Sequence, residues 1–298
     1  MFNFFVPSSI KKLNKKNMST ISITAADVNK LRTMTGAGMM DCKKALVEAE
    51  GDFEAAIDFL RKKGQKVSAA RADNQTAEGV VFIDLNKDNT QGVLVALACE
   101  TEPVSKVDNF RNLGKAILEV AVAKNAANAE ALLALPLSDG RSVNEHIIDL
   151  TGKIGEKIVI QNYEIVKAEQ VVSYIHSNNK LGVLVAFKGN GGKDITEVGK
   201  DVAMQIAAMK PVAVDKGDVD AKTVEREIEI GKEQARAEGK PEAMLEKIAL
   251  GKLNKFYKDS TLLNQEFVKD TSKTVAQLLD SEVKGLTVTE FKRIAIGQ

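Results

Sequence analysis

The chain has no tryptophan, three tyrosines and eleven phenylalanines, so aromatic residues make up only 5% of its 298 positions. That scarcity argues against a stacking platform for single-stranded nucleic acid. Cysteine and histidine number two each (Cys42, Cys99; His146, His176), in unrelated contexts, too few and too scattered for a structural zinc site. Both cysteines sit in apolar patterns and read as buried free thiols, which suits a reducing compartment. Net charge is scarce as well: 42 basic against 41 acidic residues leave +1, so no overall field draws nucleic acid or a membrane surface. No segment is long and apolar enough to span a bilayer.

Chemistry is equally hard to find. There is no phosphate-cradling glycine-rich loop followed by Lys-Ser/Thr, so no P-loop holds a nucleotide. Gly189-Asn190-Gly191-Gly192-Lys193 follows a strand as a plain turn. No Ser or Cys lies in a nucleophile context with a partnered His. A hydrolase built on Glu100, Glu102 and His176 would rest on residue type alone. Cofactor and metal are both expected to be none.

The first seventeen residues stand apart. Met1 to Pro7 is apolar and the lysines Lys11, Lys12, Lys15 and Lys16 follow it, an order wrong for a secretory signal, and the absence of Arg weakens a mitochondrial-transit reading. Residues 1–17 are expected to form a disordered extension, with Met18 as the biological start and a soluble, cytoplasmic product.

What the chain does have is a repeat. Gly92-Val93-Leu94-Val95-Ala96 returns as Gly182-Val183-Leu184-Val185-Ala186, ninety residues on. Each copy follows a second β-like run (Gly79–Asp84; Gln170–His176) and precedes a loop and an amphipathic helix (Phe110–Lys124; Ile195–Lys210). Repeated strand–strand–helix units point to two related α+β lobes, each with a helix on one sheet face. Ile158 to Val166 reads as a third strand of the first lobe, and Val288 to Ile296 as a strand completing the second sheet. Ala126 to Leu150 reads as two short helices broken by Pro136 and Gly140. Val224 to Ala249, charged throughout and interrupted by Gly239-Lys240-Pro241, suggests a projecting helical hairpin, within 218–256. A charge-rich helix pair is most often plain surface.

Upstream, Thr24-Ala25-Ala26-Asp27 is a capping box, opening a helix that buries Val28 and Leu31 and stops at Gly36. A second helix puts Met39, Cys42, Leu46 and Ala49 on one face. Asp52 caps a third, expected to close at Gly64. The division expected is therefore a three-helix module over 18–64, a linker over 65–77, and lobes over 78–168 and 169–298.

The run Leu31-Arg32, Thr35 to Leu46, Gly51-Asp52 and Leu60 to Gly64 resembles the amino-terminal module of bacterial translation elongation factor Ts. The similarity continues in Ser173 to His176 with the Gly182 strand, and in Ser272 to Val275. It implies a ubiquitin-associated-like (UBA-like) head and a guanine-nucleotide exchange factor, not an enzyme of covalent chemistry, whose partner is the GTPase elongation factor Tu. No direct nucleic-acid or membrane partner is implied, and a homodimer formed through the complex is left open. Taken by itself, the loop Glu100–Asn109 is a capped strand-to-helix connection. By position within the family, Thr101, Glu102, Pro103 and Val104 would push beside the partner's magnesium site. Family members carry Thr-Asp-Phe-Val there, so here the carboxylate is longer by a methylene and the aromatic wedge is replaced by a small ring. Val104 is then expected to carry more of the apolar insertion. His176 reads locally as an ordinary surface or hydrogen-bonded residue; the resemblance turns it toward the partner. Arg32, Met39 and Met40 would line a docking edge, although Met39, in phase with Cys42, also reads as core. The alternative is a non-catalytic docking protein, binding a helix or a nascent chain with its head.

Overall fold

The computed structural model describes residues 22–298; the expectations of a disordered stretch over 1–17 and of a start at Met18 fall outside them. The chain divides at Lys63/Gly64 into two compact units. In the first, α1 (Ala25–Thr35), α2 (Met39–Glu48) and the start of α3 (Phe53–Ala70) enclose a small core of Val28, Leu31, Cys42, Ala45, Leu46 and Ala56. The capping box is present: Asp27 N donates to Thr24 Oγ1 (3.2 Å) and Thr24 N to Asp27 Oδ2 (3.0 Å). Gly36 ends α1 in the left-handed conformation (φ 66°) that glycine adopts without steric cost.

The second unit holds two three-stranded antiparallel sheets. The first comprises β1 (Glu78–Leu85) and β2 (Gln91–Cys99), and then, after α4 (Glu102–Ser105), α5 (Asp108–Lys124), α6 (Ala129–Ala134) and α7 (Val143–Ile154), β3 (Ile158–Lys167), in the order β1-β2-β3. The second begins with β4 (Gln170–Ile175) and β5 (Leu181–Lys188), followed by α8 (Thr196–Met209) and the antiparallel helical hairpin of α9 (Ala221–Ala237) and α10 (Glu242–Ser260). A two-stranded ribbon, β6 (Glu266–Phe267) with β7 (Asp270–Thr274), then α11 (Val275–Glu282) and β8 (Thr287–Ala295) complete it, in the order β4-β5-β8. The repeated apolar runs are the two central strands.

Those runs lack alternation because both of their faces are covered. In β2, Val93, Val95, Leu97 and Cys99 share a core with Phe110, Leu113 and Ile117 of α5. The intervening Leu94, Ala96 and Ala98 meet Val171, Leu184 and Ala186 of the other sheet. In β5, Val183, Val185 and Phe187 face α8 through Val202 and Ile206. Helix, sheet, sheet and helix are thus stacked, with small residues where the sheets meet. Gly92 and Gly182 mark that contact: a Cβ on Gly182 would lie 2.5 Å from Val81 Cγ1, and one on Gly92 2.7 Å from Leu184 Cδ2.

The duplication extends to details. Both central strands bulge at the same repeat position, between Ala96 and Leu97 and between Ala186 and Phe187. Val81 N donates to Asn179 O (2.7 Å) and Val171 N to Asn89 O (2.6 Å), with both asparagines left-handed (φ 57° and 53°). Each hairpin turn is therefore clasped by the first strand of the other lobe, as a half-turn relating the lobes would require.

Three local expectations are corrected. Gly64 does not end α3, which runs on to Ala70; a Cβ on Gly152 of α7 would lie 2.6 Å from Gly64 Cα, so this glycine permits close helix packing instead of capping. Met39 is 52% exposed and not core, because the first residue of a helix points back past the helix end, where no preceding turn covers it. The loop after β2 contains a one-turn helix, α4. In the hairpin, Gly231 lets α9 approach the Ala249 backbone, and Lys232 bridges Glu229 and Glu246. Among the described residues no helix is long and apolar enough to cross a membrane.

Candidate functional site

At the end of β2 the chain leaves the first sheet through Glu100, whose carboxylate is fully occupied. Arg71 Nη1 donates to both of its oxygens (2.9 and 3.0 Å), Asn74 Nδ2 to one (3.0 Å) and Lys157 N to the other (2.6 Å). Burial alone would raise the Glu100 pKa; the bonds from Lys157 N, Arg71 and Asn74 outweigh it and hold the carboxyl below its ordinary 4.5. Cys99 just before it is pushed up to about 12 by burial, helped by the fields of Glu156 and Glu78, so its thiol stays protonated and donates to Thr101 O (3.2 Å).

Thr101, Glu102 and Pro103 are exposed, and Pro103 sits in the first turn of α4, where its missing N–H costs nothing. Glu102 reaches Lys106 at 2.7 Å, but both side chains are about two-thirds exposed (64% and 65%), so the pair opens readily to a competing partner. Its pKa is lowered by that Lys106 bond and, more weakly, by the charge of Lys180 across the rim. Val104 is turned inward, packed with Phe110 and Leu97 in the first-lobe core, so the expectation that it supplies apolar insertion meets a buried side chain.

The two lobes meet beside this turn. A groove of ≈ 420 Å³ is lined by Glu102, Ser105 and Arg111 of the first lobe and by Asn179 and Lys180 of the second. Lys180 also borders a second groove of ≈ 630 Å³, lined by Tyr174, His176, Met204, Arg293 and Ile296. His176 is exposed on the β4–β5 turn, with Nδ1 2.9 Å from Tyr174 Oη. The structure thus brings Glu102, with Thr101 and Pro103 beside it in the chain, to the same groove as the turn that follows His176. Glu100, Glu102 and His176 do not form a catalytic set: among the described residues no hydrogen bond or ion pair joins any two of them. Arg32, Met39 and Met40 lie in the other unit, all exposed; Met34, 56% exposed, joins them and was not anticipated. The sequence also gave no sign of Glu156, which accepts from Thr101 N at 3.0 Å and Thr101 Oγ1 at 2.8 Å, because fifty-five residues separate them.

The double sheet, packed face to face, thus presents a short exposed turn at the edge of the inter-lobe groove. The family described as Elongation factor TS matches residues 100–298. The chain is 74% identical over 279 residues to elongation factor Ts of Cytophaga hutchinsonii, covering 94% of this chain and 100% of that protein. It is 53% identical over 277 residues to that of Amoebophilus asiaticus (93% and 100%) and 50% identical over 276 residues to that of Flavobacterium psychrophilum (93% and 99%). The chain belongs to the elongation factor Ts family of translation elongation factors.

Proposed function

We propose that this chain is a guanine-nucleotide exchange factor for the GTPase elongation factor Tu, acting in the cytoplasm by binding and without covalent chemistry. The observation that supports it most is the exposed turn Thr101-Glu102-Pro103 at the groove shared with the turn that follows His176: a tool and a grip on one side of the body. Magnesium demands near-ideal octahedral oxygen geometry and links nucleotide phosphates to the GTPase. A carboxylate and a rigid ring pressed beside that shell favour the nucleotide-free GTPase. By linkage the factor then weakens nucleotide by the same factor by which nucleotide weakens it. GDP leaves faster, and GTP displaces the factor.

In this reading Glu102 and Pro103 form the tip, Thr101 and Val104 its two supports, and His176 a second contact. Arg32 with the soft side chains of Met39 and Met40 forms a docking edge on the head. The head over 18–64 and the lobes over 78–168 and 169–298 are taken as the working parts. The exposed methionines Met34, Met39 and Met40 also suit a plain docking protein without exchange activity. Release of fluorescent GDP from purified elongation factor Tu separates the two: acceleration by this chain is expected, whereas tight binding with unchanged release would mean docking alone.

A further inference from the structure

The turn assigned to the partner is itself held from outside. An N-cap threonine ordinarily spends its hydroxyl on an amide of the helix it opens. Thr101, N-cap of α4 in extended conformation (φ −126°, ψ 152°), makes no such bond. Its hydroxyl and its own N–H both go to the Glu156 carboxylate, at 2.8 and 3.0 Å, and its carbonyl accepts the Cys99 thiol at 3.2 Å. Glu156 is delivered there by Gly155, the left-handed C-cap of α7 (φ 81°), just before β3 pairs Ile158 with Cys99. The next residue, Lys157, donates its N–H to Glu100, so the stretch 156–157 grips 100–101 through two successive residues. At the far end of the turn, Val104 is anchored in the first-lobe core. A four-residue helix cannot hold its own shape in water; this one is pinned at both ends, with Glu102 and Pro103 at the apex.

We propose that Glu156 is a positioning residue for nucleotide exchange: its two bonds to Thr101 fix the direction in which Glu102 and Pro103 leave the sheet. The proposal rests on the exchange reading above. Charge-assisted bonds to a carboxylate are the stronger kind, and Glu156 changes the aim of the tip without removing any of the side chains that the tip presents; a small misplacement of a working group, caused from a distance, is felt chiefly in the rate. The clamp therefore acts on how fast the bound factor expels nucleotide, more than on how tightly it binds.

The test follows GDP release from elongation factor Tu as a function of factor concentration, for the full chain, Glu156→Ala, Glu156→Gln, Thr101→Val and the double variant Thr101→Val/Glu156→Ala. Amide hydrogen exchange at residues 101–106 of the free chain is measured alongside. Glu156→Ala is expected to lower the maximal release rate about tenfold, with the half-saturating concentration within about twofold, and to speed exchange of the Thr101 amide. Glu156→Gln still offers one oxygen to the Thr101 N–H and an amide to its hydroxyl, and is expected to retain most of the rate. Thr101→Val loses only the hydroxyl bond; in that background Glu156→Ala is expected to cost less than it does alone. The proposal is overturned if Glu156→Ala and Thr101→Val both leave the maximal rate unchanged. It is overturned equally if the loss falls wholly on half-saturation, or if the Thr101 amide is no less protected without the carboxylate. Failure of the exchange reading looks different: the unaltered chain then does not speed release at all, and the proposal falls with it.

Discussion

Pro103 occupies the apex of the exposed turn with a small ring and no amide hydrogen, on a backbone held in place at both ends. A larger apolar side chain at that point would reach further without disturbing the supports, so Pro103→Phe is expected to raise the maximal GDP release rate about threefold in the fluorescent assay. A slower or unchanged rate would mean that the apex does no wedging. Glu100 carries a pH prediction. Its carboxyl is held below the ordinary 4.5, so the stabilisation is present above that value and is lost as pH falls through the lower folded one. Thermal melts on descending below pH 4.5 are expected to show falling stability, with a shallower fall in Arg71→Met. Among single residues, the exposure of Thr101, Glu102 and Pro103 was legible because they follow an apolar strand that must end in a connection, whereas their candidate role came only with the family resemblance. Val104 and Met39 were misread, since burial depends on what lies across from a side chain and not on its type. Glu156 was invisible for the same reason: its partner is set by how β3 returns alongside β2.

Elements with strong local signals were the easiest to read. Five consecutive apolar residues after a glycine mark a strand buried on both faces, and the capping box at Thr24 marks a helix start whatever surrounds it. The four-residue α4 is too short to leave a period, and β7, Asp-Thr-Ser-Lys-Thr, is almost wholly exposed and carries no apolar alternation. Gly64 shows the limit of glycine as a stop signal: a residue that ends one helix can equally be the point where two helices touch. Gly182 is read in the same terms. Gly182→Ala would press a methyl to 2.5 Å from Val81 Cγ1 where the sheets meet, and is expected to cost about 1–3 kcal/mol in urea unfolding, with little change in secondary structure by circular dichroism. No loss of stability would mean that the sheets slide apart cheaply.

At the scale of the whole molecule, the lobes share one core as well as having one each. Val81, Leu94, Ala96, Ala98, Leu184 and Ala186 are at most 2% exposed, and each lobe buries its share only against the other. Residues 65–168 produced alone are therefore expected to bind a hydrophobic dye and to melt without a cooperative transition, whereas residues 65–298 melt sharply. A cooperative melt of the shorter fragment would show that the first lobe is self-sufficient. The paired asparagine clasps carry one more consequence. Exchanged by the half-turn, the paired sheets with α5 and α8 would look nearly unaltered, whereas the elements added to them would not: α6 and α7 belong to one lobe, the α9–α10 hairpin, the β6–β7 ribbon and α11 to the other. The counterpart of Glu100–Val104 on the opposite side, Asn190–Asp194, is a bare bend of glycines with left-handed backbone at Gly191 and Gly192. Within the repeated frame itself the two ends are thus told apart by their loops, and transplanting residues 100–104 onto the other lobe would amount to moving its front door.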